Sequence, residues 1–446
     1  MVTPRIAVST VSFIDDYCQL YRNLFADVRN FESFKYLHVG MISELPRKTL
    51  PAIARTVGLK DGQSLHHFLR DAVWETSELR KLRLWITKFL IGDQEITLCI
   101  DETGDKKRGQ TTDYVARQYI GNLGKIENGI VSVNSYGVVE GITYPLICKI
   151  FKHQRRLQAG DQYKPKPELA VEIIRELKAI GFKIKVVLAD CLYGESENIM
   201  KVIRRLKLNF IVSIRREHAV WLPVGQQKRY NRWRTYEQPL VNRKPEKRFI
   251  REIIFGQRRQ IRYYQITKDA TANTDKNSWY IMTNLKNDIQ EDIALLYSLR
   301  NWIEYGFRQV KSELGWADFR LTDYASIERW WEIVMSAYLM VSCQAKHFKF
   351  KALQTIPSDA QKDIQNDDST PSLMDIFKVH PKWEKGTTWK SALNNIRLII
   401  QPYIFYWLIR PWLEIFRIPG FQRCFSKLIA NMNEFRVPLF DYVMAS

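Results

Sequence analysis

Cysteine, histidine and long apolar runs are all scarce in this chain, and each scarcity closes off a class of protein. The six cysteines (Cys18, Cys99, Cys148, Cys191, Cys343 and Cys424) include no CxxC pair, and with seven histidines no Cys/His cluster has zinc spacing. Neither a disulfide framework nor a zinc module is indicated. His66 and His67 are neighbours, and adjacent helical positions point about 100° apart, so they make no metal pair. The most apolar stretch, Ile399 to Phe416, is broken by Pro402, Arg410 and Pro411. It falls short of the roughly 20 apolar residues that a membrane-crossing helix needs. The first twenty residues contain Asp15 and Asp16 and lack a basic segment followed by an apolar core, so no secretory signal is expected and a reducing cytoplasm fits best. The chain has no internal repeat and no long low-complexity tract.

Negative charge is the other deficit. Against 68 Lys and Arg stand 48 Asp and Glu, a net +20 over 446 residues, and the basic residues recur along the whole length. Such a balance is the electrostatic footprint of a nucleic-acid partner, although it also suits acidic membranes, RNA or simple solubility. With 46% hydrophobic and 13% aromatic residues the chain can bury a sizeable core, and its length allows two or three domains.

Three of the acids stand in distinctive contexts. Asp101 closes the apolar run Ile96 to Ile100, Asp190 closes the run Ile184 to Ala189, and Glu304 lies in a helix-like stretch rich in Arg and Lys. Two strand ends and a helix can bring their acids to one point. Gathered carboxylates in a basic protein suggest a Mg²⁺ site that works on a phosphate chain, because Mg²⁺ prefers oxygen ligands and keeps room for water and phosphate.

The coarse pattern is helical over 1–90, with periodic apolar positions at Leu50, Ile53, Ala54, Val57 and Leu59, then at Leu65, Phe68, Leu69, Val73 and Trp74. The turn between them, with Ser64 as the expected cap, reads equally as a helix-turn-helix for DNA or as an ordinary helical hairpin. Strands follow to Asp101, over Gly129 to Val139 and over Ile142 to Phe151, the last two joined at Glu140-Gly141 as a hairpin. A helix near Pro167 to Ile180, the strand ending at Asp190, a helix over Glu197 to Leu206 and a strand over Phe210 to Ile214 complete the order. This order predicts an α/β fold with a ribonuclease-H-like mixed-sheet core, and other α/β layouts remain compatible. Residues 215–288 read as a β-rich insertion within a catalytic domain at 91–345. A single helix is expected from about Gln290 to Leu314. Polar residues Gln354 to Ser372 suggest a linker, so 346–446 is a linker with a helical C-terminal element.

In the stretch around Glu304, Tyr297, Arg300, Glu304 and Lys311 fall at i, i+3, i+7 and i+14, which is one stripe of a helix. Such a stripe suits a groove where the acid holds metal and the cations contact phosphate, or equally a solvated face laced with ion pairs. Tyr-x2-Arg-x3-Glu-x6-Lys resembles the signature of the DDE transposases of the insertion sequence 4 superfamily. Asp101-Glu102-Thr103-Gly104, Arg117-Gln118-Tyr119 with Gly121 to Lys125, and Ala189-Asp190 with Tyr193-Gly194 resemble the blocks of its insertion sequence 701 branch. The resemblance spans roughly residues 40 to 345.

The resemblance implies a bacterial, nucleoid-associated enzyme that cuts element ends and joins the freed 3′-hydroxyls to target DNA. Asp101, Asp190 and Glu304 would be its catalytic triad, holding two Mg²⁺ ions for which Mn²⁺ can substitute. Two ends need at least two active sites, so a homodimer or larger assembly on double-stranded DNA is expected, with no membrane partner. Arg117 and Lys125 are candidates for backbone phosphate, or they cover a β-turn. Trp221, Trp233 and Trp279 of the insertion are candidates for stacking on a displaced base, against the alternative of strand packing. Glu102 and Asp105 read as exposed turn carboxylates, and Cys191 as a small buried side chain without a nucleophilic role. A metal-dependent nuclease on the same core and a DNA-binding regulator are the competing functions.

Overall fold

The fold is that of a computed structural model, which describes residues 5–238, 244–271, 278–286, 290–354 and 373–436. Five helices come first: α1 (Ser12–Gln19), α2 (Val28–Ile42), α3 (Leu50–Thr56), α4 (Gln63–Arg70) and α5 (Thr76–Ile91). α4 buries Leu65, Phe68 and Leu69, as its spacing predicts. Ser64 is not its cap. The helix already begins at Gln63, and Asp61 Oδ1 accepts from the Gln63 N–H at 2.9 Å, so a carboxylate two residues upstream satisfies the first free donor.

The chain then runs through β1 (Ile96–Lys106), β2 (Ala116–Ile120), β3 (Lys125–Val139), β4 (Ile142–Ile150), α6 (Lys166–Ile180), β5 (Ile184–Ala189), the single turn α7 (Cys191–Gly194), α8 (Glu197–Arg205) and β6 (Phe210–Ile214). Five further strands follow: β7 (Lys228–Tyr230), β8 (Arg234–Gln238), β9 (Glu246–Phe255), β10 (Arg262–Thr267) and β11 (Ser278–Thr283). Next come α9 (Gln290–Ser298), α10 (Asn301–Arg308), a π-helical turn at Gln309–Glu313, α11 (Tyr324–Gln354), α12 (Leu373–Lys378), α13 (Trp389–Ile415) and α14 (Phe421–Met432). The suggested linker lies outside the described residues except at Gln354.

Two compact units result, one from Met1–Gly92 with Arg308–Ser446 and the other from Asp93–Phe307. In the first, the α5 side chains Arg80 and Arg83 meet Glu328 and Glu332 of α11. In the same unit Arg397 of α13 donates to the Ile42 carbonyl of α2 at 2.9 Å. Among the described residues no helix is long and apolar enough to cross a membrane, and Pro402 and Pro411 sit inside α13.

The second unit holds a mixed sheet in the order β2-β3-β1-β5-β6-β11-β10-β9-β7, with β4 on β3 and β8 on β9. β1, β5 and β6 run parallel, and β1–β3 and β6–β11 are antiparallel. β5 is buried at Val186, Val187, Leu188 and Ala189, the continuous apolar run of a strand covered on both faces. Each such Val or Leu contributes about 1.5–3 kcal/mol of burial. β3 and β4 turn at Glu140 and Gly141, both with positive φ (49° and 76°), the two-residue hairpin that suits the right-handed twist of its strands. Strands β7 to β11 continue the same sheet beyond β6.

Candidate active site

β1 does not stop at Asp101. It runs on to Lys106 because β3 pairs with it from Thr97↔Val138 to Lys106↔Gly129. Its parallel partner β5 does stop, at Ile100↔Ala189, so Asp101 and Asp190 stand side by side where the parallel ladder ends. That is the crevice at strand carboxyl ends where α/β sheets place their ligands. Asp190 caps α7, its Oδ1 accepting from the Leu192 N–H at 2.9 Å. Asp101 Oδ1 accepts from the Glu102 N–H at 2.8 Å.

The expected single helix over Gln290 to Leu314 is broken. α9 ends at Ser298, and Leu299 and Arg300 form a joint of i to i+3 bonds: Arg300 N–H to the Tyr297 carbonyl at 2.9 Å and Ile303 N–H to the Arg300 carbonyl at 3.0 Å. A second departure from α geometry follows in the π turn. No Pro or Gly marks the joint in the sequence, so periodicity carries straight through it. The joint places Arg300 where Nη1 reaches Asp101 Oδ2 at 3.1 Å and Nη2 reaches Glu304 Oε1 at 3.5 Å. Tyr297, half-buried, lies close enough to interact with Ser213 of β6 and with Arg300. Lys311 lies in the other unit, on the π turn.

Electrostatics sharpens this picture. Burial pushes the Asp101 carboxyl up to about 7, with Arg300 opposing and the charges of Asp190 and Glu102 adding to the rise. Burial also raises Asp190, helped by Glu102 and opposed by Arg300. Burial works against the Arg300 charge, but Tyr297, Asp101, Glu304 and Asp190 outweigh it and the guanidinium is raised above its ordinary value. The Arg300 guanidinium is thus the local counter-charge for two acids at once.

Among the described residues no three His, Cys, Asp or Glu side chains are grouped closely enough to hold a metal ion. Asp101 and Asp190 are adjacent, whereas the Glu304 side chain is 60% exposed and turned to Arg300. The donor set nevertheless fits a hard divalent cation. All its atoms are oxygens, and two half-buried like-charged carboxylates gain from a cation between them. Asn134, the cross-strand neighbour of Asp101 on the same face, has its Oδ1 buried with no hydrogen-bond donor among the described residues.

Several residues were misread or missed in sequence. Glu102 is no exposed turn residue. It is half-buried within β1, accepting from Tyr193 Oη at 2.8 Å and Lys166 Nζ at 2.9 Å. Asp105 is likewise a buried strand residue. The Asp-Glu-Thr-Gly-Asp string reads as a turn on composition, and only the β3 ladder makes it a strand. Asn134 carries no sequence signal at all. Cys191, expected as a buried side chain, is only half-buried, and its thiol is pushed up by burial and by Asp190 and Glu195.

The remaining candidates lie elsewhere on the sheet. Arg117 pairs across β2–β3 with Asn128, and Lys125 opens β3 and meets Glu127 at 3.1 Å. Asn128 is six residues along β3 from Asn134, so this hairpin end is roughly 20 Å from Asp101 at strand rise. Trp221 and Trp279 are 78% and 43% exposed, and neither packs in a core. Trp233 is half-buried beneath the Arg251 guanidinium, 4.3 Å from its ring, and Arg248 lies 4.8 Å from the Trp279 ring.

Two aspartates stand where the parallel β1–β5 ladder ends, with Arg300 from the α9–α10 joint reaching Asp101 and Glu304 of α10. A family model described as DDE superfamily endonuclease matches residues 20–270, more than half of the chain, and the chain belongs to that family. The matched segment includes Asp101 and Asp190 and ends before Glu304. The chain is also 51% identical over 329 residues to a probable transposase for insertion sequence element IS701 from Microchaete diplosiphon, covering 74% of this chain and 87% of that relative. The family's chemistry implies dependence on a divalent metal.

Proposed function

We propose that the protein is a DNA transposase that cleaves the ends of an insertion sequence and joins the freed 3′-hydroxyls to target DNA. The observation that carries the reading is the pairing of Asp101 and Asp190 at the end of the β1–β5 ladder, in a chain of this family half identical to a probable transposase. Asp101, Asp190 and Glu304 are the residues that would hold Mg²⁺, two ions in all, or Mn²⁺ in its place. When bound, such ions activate an attacking water or 3′-hydroxyl and stabilise the leaving 3′ oxygen. The order β4-β3-β1-β5-β6, antiparallel on one side of β1 and parallel on the other, supports a ribonuclease-H-like core.

The chain's own side chains do the rest. Arg300 holds the acids in a defined arrangement and, with five N–H donors, can turn donors to a scissile-strand phosphate, aided by Tyr297. Lys311, Arg117 and Lys125 serve as further phosphate contacts along the duplex. Trp221, Trp233 and Trp279 offer stacking faces for an unpaired base, and the guanidiniums beside the last two supply charge for its phosphate. The α3–α4 pair is the candidate reader of element ends. Two ends cut together require at least two copies of the chain on DNA.

Purified protein, Mg²⁺ and labelled DNA carrying element ends test this reading, with wild type compared against Asp190→Ala. Joined product that vanishes in the variant supports it. Cleavage without joining makes the protein a nuclease, and DNA binding with no metal-dependent chemistry makes it a regulator.

A further inference from the structure

The parallel ladder between β1 and β5 ends at Ile100↔Ala189, one residue short of both aspartates. Beyond it, no backbone pairing of these two strands fixes the distance between two carboxylates that repel. A chain of side chains takes over. Tyr193 of α7, 1% exposed, donates its hydroxyl to Glu102 Oε2 at 2.8 Å. The Asp190 carboxylate accepts from the N–H of Leu192, the residue just before Tyr193, at 2.9 Å. The α7 turn therefore grips Asp190 through the Leu192 backbone and the neighbour of Asp101 through the Tyr193 ring.

The other oxygen of Glu102 accepts from Lys166 at the start of α6 at 2.9 Å, and both side chains are less than a fifth exposed. Glu102 is thus anchored at both oxygens. Successive strand residues point to opposite faces, so Glu102 lies across the sheet from Asp101 and outside the donor set. On the far side of Tyr193, a Cβ on Gly194 would lie 2.4 Å from the Ser213 carbonyl of β6, so α7 rests directly on that strand and cannot slide toward it.

We propose that Tyr193, Glu102 and Lys166 form a positioning tie that fixes the spacing of Asp101 and Asp190 for a divalent cation. This rests on the reading of those aspartates as the metal-holding residues. The tie touches neither substrate nor ion. It acts as the outer partners of metal sites do, where loss of one typically weakens metal binding about 10–100-fold.

The test is Mn²⁺ binding to the full chain without DNA, measured by calorimetry or by the electron paramagnetic resonance signal of free Mn²⁺, beside the thermal midpoint of each variant. Tyr193→Phe and Glu102→Ala should each weaken Mn²⁺ about tenfold, and the double variant should be no weaker than either, because both cut one link. Glu102→Gln, which keeps an acceptor for the Tyr193 hydroxyl, should recover most of the loss. If Tyr193→Phe fails to fold, the Glu102→Ala and Glu102→Gln pair decides alone. Wild-type affinity in Tyr193→Phe with a lowered midpoint would show a stabilising contact only and overturn the tie, as would effects that add in the double variant. Asp101→Asn is the control for the underlying reading. If it binds Mn²⁺ as tightly as wild type, the aspartates are not the metal holders, whatever the tie variants do.

Discussion

Arg300→Gln is the perturbation that bears most directly on how this site is held without metal. The Arg300–Asp101 pair, 3.1 Å apart with side chains 20% and 15% exposed, is largely shielded from solvent, whereas the 3.5 Å arm to Glu304 meets a side chain 60% exposed. The exposed arm contributes no more than a surface ion pair, about 0–1 kcal/mol. The shielded one is a charge-assisted bond, and its loss should lower stability by about 1.5–3 kcal/mol. Gln keeps a donor but not the charge, so Asp101 and Asp190 then face each other with their common counter-charge gone. A divalent cation should restore part of the loss, up to about 2.7 kcal/mol at a hundred times its dissociation constant. Mn²⁺ should therefore stabilise the variant more than the wild type in urea unfolding. If Arg300 also contacts phosphate, the slope of log K against log salt for DNA should become shallower by about 0.9. Unchanged unfolding in the absence of metal would refute the counter-charge argument. An unchanged salt slope would remove the phosphate contact.

Three further outcomes are expected. His38, fully buried between the Phe34 carbonyl at 2.8 Å and the Ser336 hydroxyl at 2.9 Å, is pushed by burial to about 4, with the Phe34 bond opposing. Its folded value is depressed, so the stability it gives is present above pH 6.5 and is lost progressively as pH falls toward 4. The total is about 3 kcal/mol, and denaturant midpoints across pH 4–7 for wild type and His38→Gln should show that slope flattened in the variant. Glu332→Gln takes away the carboxylate facing the fully buried Arg83 and should cost about 3–5 kcal/mol by chemical unfolding, whereas the paired change Arg83→Met with Glu332→Leu should recover most of it. Gly194→Ala brings a methyl 2.4 Å from the Ser213 carbonyl, a clash with backbone that overpacking data put at about 1–3 kcal/mol. End cleavage by this variant should fall along with its thermal midpoint, and an unaltered rate would show that α7 has room to move.

Much of the architecture is legible in the chain because it rests on local periodicity. The apolar runs before Asp101 and Asp190 are buried strands, and Glu140-Gly141 makes the hairpin its two residues suit. Of the signature residues, Arg300 reaches both Asp101 and Glu304. Local pattern failed where partners distant in sequence supply the bonds. Asp101 to Lys106 is polar and contains Gly, yet it extends as strand because β3 offers a ladder across its whole length. The helix through Arg300 is periodic on paper and broken in fact.

The sequence by itself determined most of the strands and helices and singled out three acids as candidates, since apolar period, net charge and motif spacing are properties of neighbouring residues. Tertiary structure decided what surrounds those acids. It ended the β1–β5 ladder one residue early, set Arg300 between Asp101 and Glu304, and brought Glu102 to Tyr193 across 91 residues of chain. Such contacts depend on register and burial, and a strand register is fixed only when its partner is present.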